Sequence, residues 1–317
     1  MKLRQQTHTV FMVKPSHFGY NAATATSNVF QHISTLDQKE ISQKVMSEFN
    51  EFVATLREKG INVLVMDSSK EQAKPDAIFP NNWISLHQDG SLCLYPMLTK
   101  NRQLEREPHI INHLKEHFAV KQIKDFSVHE KKGRIVEGTG SIIFDHPNKI
   151  AYACRSERTD VSLFNEICKE LDYFPIHFNA VDENNQSIYH TNVMMTIGEA
   201  FALICLECIQ DEVERERVVS SMRETGHSVI EISLQQMKAF AGNALELTNQ
   251  KGERFLVLSK SAYTALETAQ KEIITSTAEL LPIAVPTIEH IGGGSVRCMI
   301  AEIFTPRKYE KQNNLYP

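Results

Sequence analysis

Three polar positions carry the residue types of a nucleophilic hydrolase. Cys298 closes the stretch Gly292-Gly293-Gly294-Ser295-Val296-Arg297-Cys298, His190 lies in Tyr189-His190-Thr191-Asn192, and Glu137 opens Glu137-Gly138-Thr139-Gly140. A cysteine thiolate can attack an electrophilic carbon, a histidine can move protons, and a carboxylate can orient and charge that histidine. Glycines beside the cysteine let backbone come close to a ligand. Taken singly, each residue reads equally as core or structural. What makes a set of them is where each falls relative to the surrounding elements.

Those elements recur. Apolar hairpins are read over 83–95, with Asp89-Gly90 as a strong turn signal, and over 141–154, turning at Asp145-His146-Pro147-Asn148. Two more span 192–208, turning at Gly198-Glu199, and 245–258, turning at Gln250-Lys251-Gly252. Amphipathic helices follow or precede them. Val161, Phe164, Ile167, Cys168 and Leu171 share one helical face, and Ile41, Val45, Phe49, Phe52, Val53 and Leu56 another. Segments 211–224 and 263–274 also read as helical, and 61–66, 173–178 and 228–232 as strands.

The hairpin starts at 83, 141, 192 and 245 recur about every 50 residues, and one further period falls at Cys298. The fold class is therefore α/β, with hairpin, helix and strand repeated. Five units fit if the last strand, 296–304, pairs with the first, 9–13; that closes a ring without exposed edges. Glu137 precedes the second hairpin, His190 the third, and Cys298 the last strand, so a ring would bring all three to its axis. An open mixed sheet is the plainer alternative. With no linker or low-complexity stretch, residues 1–317 are expected to form a single domain.

Composition limits the ligand class. With 42% hydrophobic and 23% charged residues the chain can bury a substantial core, and a net charge of −5 gives no basic footprint for nucleic acid or acidic lipid. No run approaches the roughly 18 apolar residues that span a bilayer. Six scattered cysteines point to a reducing cytoplasm rather than a disulfide scaffold. Cys205 and Cys208 sit in the apolar run 201–209, read as a strand; its residues at that spacing face opposite ways, so the pair is expected only to pack.

The motifs around Glu137, His190 and Cys298, with Pro75-Asp76-Ala77-Ile78-Phe79-Pro80-Asn81-Asn82-Trp83, resemble in order the signatures of the guanidino-group-modifying superfamily. It includes arginine deiminases, dimethylarginine dimethylaminohydrolases, agmatine deiminases and amidinotransferases. The resemblance runs from about residue 9 to residue 305. It implies the five-bladed α/β propeller known as the pentein fold, with ββαβ repeats around a central active site. It further implies Cys298 as nucleophile, His190 as general acid/base and Glu137 as the partner of His190 or of substrate nitrogens. Asp76 would contact substrate, and Arg158 would bind the α-carboxylate. Arg102 is a second candidate for that role, and reads equally as a solvated arginine at a helix start.

Two positions depart from the arginine-acting branches, which carry acids where this chain has Asn82 and Asn192. An amide cannot balance a buried guanidinium, but it can both donate to and accept from a neutral ureido group. The chain is similar here to the citrulline-hydrolysing branch. The expected reaction is citrulline to ornithine, ammonia and carbon dioxide through an S-carbamoyl cysteine, with no metal or cofactor. Arginine or methylarginine hydrolysis, amidino transfer, and a non-catalytic small-molecule-binding protein of the same fold are the alternatives. Partners other than an amino-acid substrate are not expected, a homo-oligomer being left open.

Overall fold

The structure, a computed structural model, describes residues 3–69 and 71–308; the ends of the expected 1–317 unit lie outside them. The first strand shows how the chain builds its core. In Thr9–Val13 every residue is buried, because the strand is sandwiched on both faces. Val10 and Met12 join Ile41, Val45, Phe49 and Phe52 of the helix Gln38–Glu58, while Phe11 and Val13 join Trp83, Ile84 and Leu86 on the other side. The strand period of two thus feeds two separate clusters. The helix begins at Asp37, whose side chain accepts from the Glu40 backbone while Glu40 reaches back, a capping box.

The described residues form five three-stranded sheets. In four of them a short antiparallel hairpin is followed by helix and then by a parallel strand: Ile84–Leu86, Ser91–Leu94 and Gln122–Asp125; Ile143–Asp145, Ile150–Cys154 and Phe174–Phe178; Met195–Ile197, Phe201–Ile204 and Ser228–Glu231; Leu245–Thr248, Arg254–Ser259 and Glu279–Ile283. The fifth joins the two ends of the chain. Thr9–Val13 pairs parallel with Asn62–Met66 and antiparallel with Ala301–Glu302, placing Val10 opposite Glu302. The expected end-to-end pairing is present, though its last strand is two residues rather than nine. First strands of neighbouring sheets pack together: 143–145 against 195–197, 195–197 against 245–248, and 301–302 against 84–86.

Three readings need correction. The run 201–209 is not one strand; it stops at Ile204 and turns through a 3₁₀ helix, Leu206–Cys208. That turn brings the Cys205 and Cys208 sulfurs to 3.4 Å instead of opposite faces, although both remain buried in the core. The helix read over 263–274 is two, Lys260–Ala265 and Thr268–Thr275, because Glu267 caps a new start with Gln270. The helix Pro108–His117, with Ile110 and Leu114 on its buried face, and the largely exposed strand Gln122–Asp125 are two elements that the sequence reading did not include. Among the described residues no helix is long and apolar enough to cross a membrane.

Candidate active site

Asn82, Glu137, His190, Asn243 and Cys298 each lie two to six residues before a strand of a different sheet. Glu137 and His190 are 53 residues apart, Asn243 and Cys298 55. Glu137 and His190 each precede a single helical turn, Gly138–Ser141 and Thr191–Met194. Thr191 locks these turns together, its hydroxyl donating to the Ser141 carbonyl at 2.6 Å and accepting from the Cys154 backbone N–H at 2.9 Å. The approach is close enough to demand glycine: a Cβ on Gly140 would lie 2.3 Å from Asn82 Nδ2 and 2.9 Å from the His190 ring.

Glu137 and His190 form a buried pair, with Nε2 of His190 2.8 Å from Oε2 of Glu137. Burial alone would raise the Glu137 carboxyl, but Arg158, the His190 hydrogen bond and Arg102 outweigh it and hold the group well below the usual carboxylate range. Its other oxygen accepts from the Leu98 N–H at 2.9 Å. His190 is pushed down to about 4, burial outweighing the pull of Glu137. The carboxylate orients the imidazole and favours its charged form, and burial opposes that pull.

The sign of this shift makes a stability prediction. With its folded pKa below the ordinary value near 6.5, His190 binds fewer protons folded than unfolded. Its contribution is fully present above that value and is lost as pH falls toward 4. The stability of the wild type relative to His190→Gln should therefore fall by about 2 kcal/mol between pH 7 and pH 5. Urea denaturation at the two pH values checks this; a pH-independent gap would contradict it.

Cys298 sits in a turn, its N–H donating to the Ser295 carbonyl at 3.0 Å. Two amides point at its sulfur, Asn243 Nδ2 at 3.3 Å and Asn192 Nδ2 at 3.5 Å. Asn243 also accepts from the Arg297 N–H at 3.1 Å and donates to the Asn192 carbonyl at 3.0 Å, so it ties the cysteine turn to the neighbouring sheet. Oδ1 of Asn192 is buried without a partner. Asn243 escaped the sequence reading, although the spacing that links Glu137 to His190 lands on it. The other five cysteines are buried, and burial pushes Cys93, Cys154 and Cys168 up to about 12.

Arg102 is not solvated. It is buried, with Nε and Nη2 2.9 and 3.0 Å from the two oxygens of Glu105. Nη1 donates to Asn82 Oδ1 at 2.8 Å and Nη2 to the Phe79 carbonyl at 3.2 Å. With four of its five N–H groups on protein partners, Arg102 holds Asn82 in place and has one Nη1 hydrogen left. Burial, with Asp76 and Glu137 nearby, pushes Glu105 up to about 7 against the pull of Arg102. Asn82 keeps Nδ2 free of protein partners.

Asp76 and Arg158 meet across a covering segment, residues 21–31. Asp76 Oδ2 accepts from Asn21 Nδ2 at 2.7 Å and the Thr24 hydroxyl at 3.2 Å. Arg158 donates to Ser27 Oγ and the Thr24 carbonyl, stacks over Tyr189 and approaches Glu137 Oε2 at 3.4 Å. Asn28 Nδ2 bonds the carbonyls of Gly292 and Gly293 at 3.3 Å. A cavity of about 20 Å³ remains, lined by Asp76, Asn82, Arg102, Arg158, His190 and Cys298 among others. Asn192 and Asn243 both reach the sulfur from outside that lining. A far larger surface groove, about 930 Å³ and bordered by Arg4, Glu199 and Arg254, contains none of these residues.

Residues 14–305 match a sequence model described as N,N dimethylarginine dimethylhydrolase, eukaryotic. The chain belongs to that family, within the guanidino-modifying superfamily. No protein of curated function matches the chain in sequence. Among solved structures, AgrE with ornithine and NAD+ superposes with a TM-score of 0.74 at 17% identity, over 97% of this chain and 41% of AgrE. ArgZ, an arginine dihydrolase from the ornithine-ammonia cycle in cyanobacteria, gives 0.71 at 16% identity over 92% of this chain; the chain spans only 40% of ArgZ. DDAH from Pseudomonas aeruginosa, complexed with citrulline, gives 0.60 at 12% identity over 95% and 99% of the two chains. At these identities the likeness establishes a shared α/β fold of small sheets and helices. Family membership rests on the sequence match.

Proposed function

We propose that the chain is a cysteine-dependent hydrolase of a ureido carbon, with citrulline as substrate. The observation that carries this is the pair of amides, Asn192 and Asn243, at the Cys298 sulfur. A guanidinium placed there would meet amides where it needs a carboxylate, whereas a neutral urea finds both donors and acceptors. Two nearby acids are engaged, Glu137 with Arg158 and His190 and Glu105 with Arg102, and the third, Asp76, whose Oδ1 is buried without a partner, is left for the substrate's ammonium. DDAH is complexed with citrulline in the structure above, which matches this chain over nearly the whole of DDAH. The five sheets, with first strands side by side and the chain ends paired, support a single five-bladed α/β propeller with this site at its centre.

The chemistry proceeds from a neutral His190. As the Cys298 sulfur attacks the ureido carbon, the thiol proton passes to His190, and Glu137 stabilises the imidazolium so formed. Asn192 and Asn243 offer N–H groups to the oxygen that gains charge. His190 then gives its proton to the departing δ-nitrogen, releasing ornithine and leaving an S-carbamoyl cysteine. Water, deprotonated by His190, attacks that carbonyl; the thiol is restored, and carbamate leaves and breaks down to ammonia and carbon dioxide. Arg158 takes the substrate carboxylate and Asp76 its ammonium. Acid quenching during turnover should leave a carbamoyl group on the peptide carrying Cys298. An amidino adduct from arginine, with none from citrulline, would sink the reading.

The family description favours a second reading, hydrolysis of arginine or a methylarginine to citrulline. The amides separate the two. Asn192→Asp and Asn243→Asp should each lower kcat/KM for citrulline by about 10- to 100-fold, since a carboxylate beside the sulfur opposes thiolate formation and the developing oxyanion. Both should gain arginine binding. Steady-state kinetics with the two substrates checks it; undiminished citrulline turnover in both variants would contradict it.

A further inference from the structure

We propose that residues 21–28 act as an internal stand-in for the charged end of the substrate, and that Asn21, Thr24 and Ser27 thereby select free α-amino acids. This rests on the reading that Arg158 and Asp76 receive the carboxylate and the ammonium. In the closed molecule Arg158 meets two oxygens of the segment: Ser27 Oγ, at 3.2 Å from Nε and 2.5 Å from Nη2, and the Thr24 carbonyl, 3.2 Å from Nη2. A carboxylate would present two oxygens to the same donors. Asp76 Oδ2 meets two donors, Asn21 Nδ2 and Thr24 Oγ1, where an ammonium would sit. Thr24 therefore bridges Asp76 and Arg158 as an α-carbon bearing both charges would.

The remaining cavity of about 20 Å³ has room for a water molecule and not for an amino acid. The segment must withdraw before substrate enters, and the substrate must replace each bond the segment gives up. Asp76 and Arg158 are both buried, so leaving either without a partner carries the full desolvation penalty. A ligand with ammonium and carboxylate together restores both sets of bonds. A decarboxylated analogue restores one and a residue within a peptide neither, and the segment competes them out. Just beyond the segment, the His32 N–H donates to the His290 carbonyl, and the two rings stack at 5.1 Å. Val29 and Ile33, just beyond it, stay exposed, at 56% and 75%.

The test is calorimetric binding to full-length Cys298→Ala protein, with citrulline and arginine as separate probes, in otherwise wild-type, Ser27→Ala and Asn21→Ala forms. Removing a competitor strengthens binding; removing a substrate contact weakens it. Each substitution should tighten whichever probe binds by about three- to tenfold, the worth of one hydrogen bond. In the active enzyme KM should fall by a similar factor with kcat unchanged. Weaker or unchanged binding in both variants would overturn the stand-in, whichever probe binds. Tightening of arginine with no citrulline binding would uphold the stand-in and overturn the ureido reading. Failure of both probes to bind would remove the assignment of Arg158 and Asp76, and the stand-in with it.

Discussion

Cys298→Ala is expected to lower kcat/KM by at least about a thousandfold, with folding intact. No other described thiol can replace it. Cys93, Cys154 and Cys168 are held protonated by burial, and Cys205 and Cys208 pack against each other in the core away from the cavity. Loss of one sulfur from a turn held by the Ser295 carbonyl and by Asn243 through Arg297 should change stability by about 1 kcal/mol or less. Steady-state kinetics beside urea denaturation checks both parts. Turnover within tenfold of wild type would refute the nucleophile assignment.

Glu137→Gln should have the second largest effect, on activity and stability together. The carboxylate touches His190 and Arg158 and lies 3.9 Å from Arg102, all buried. The amide keeps a hydrogen bond to His190 but cannot stabilise the imidazolium that forms during attack, so kcat should drop by about 10²- to 10⁴-fold. Removing the anion leaves Arg158 without its buried counter-charge, at a cost of about 3–5 kcal/mol. A variant with wild-type stability and only reduced kcat would show that Arg158 does not depend on Glu137.

The parts legible in the sequence were those with a local signature. Alternating apolar residues and Asp89-Gly90 gave the second sheet's hairpin, and the stripe from Ile41 to Leu56 gave the first helix. The repeat located Glu137, His190 and Cys298 at equivalent places. Asn243 stands at the same place one unit on, but an asparagine has no titratable group and a search for acids, bases and nucleophiles passes over it. Arg102 looked solvated because Lys100–Gln103 is a single polar turn. Its burial depends on Glu105 and on Phe79 and Asn82, some twenty residues away. The covering segment has no periodicity, and its partners Asp76, Arg158, Gly292 and Gly293 are long-range. No window of local sequence contains that information.

The amides at Asn192 and Asn243 carry the choice of substrate, and one product assay tests it most directly. Purified protein is incubated separately with citrulline and with arginine, and ornithine, citrulline and ammonia are quantified. Ornithine and ammonia in equal amounts from citrulline, with no citrulline produced from arginine, is the predicted result. Citrulline formed from arginine, with no ornithine from citrulline, would contradict it.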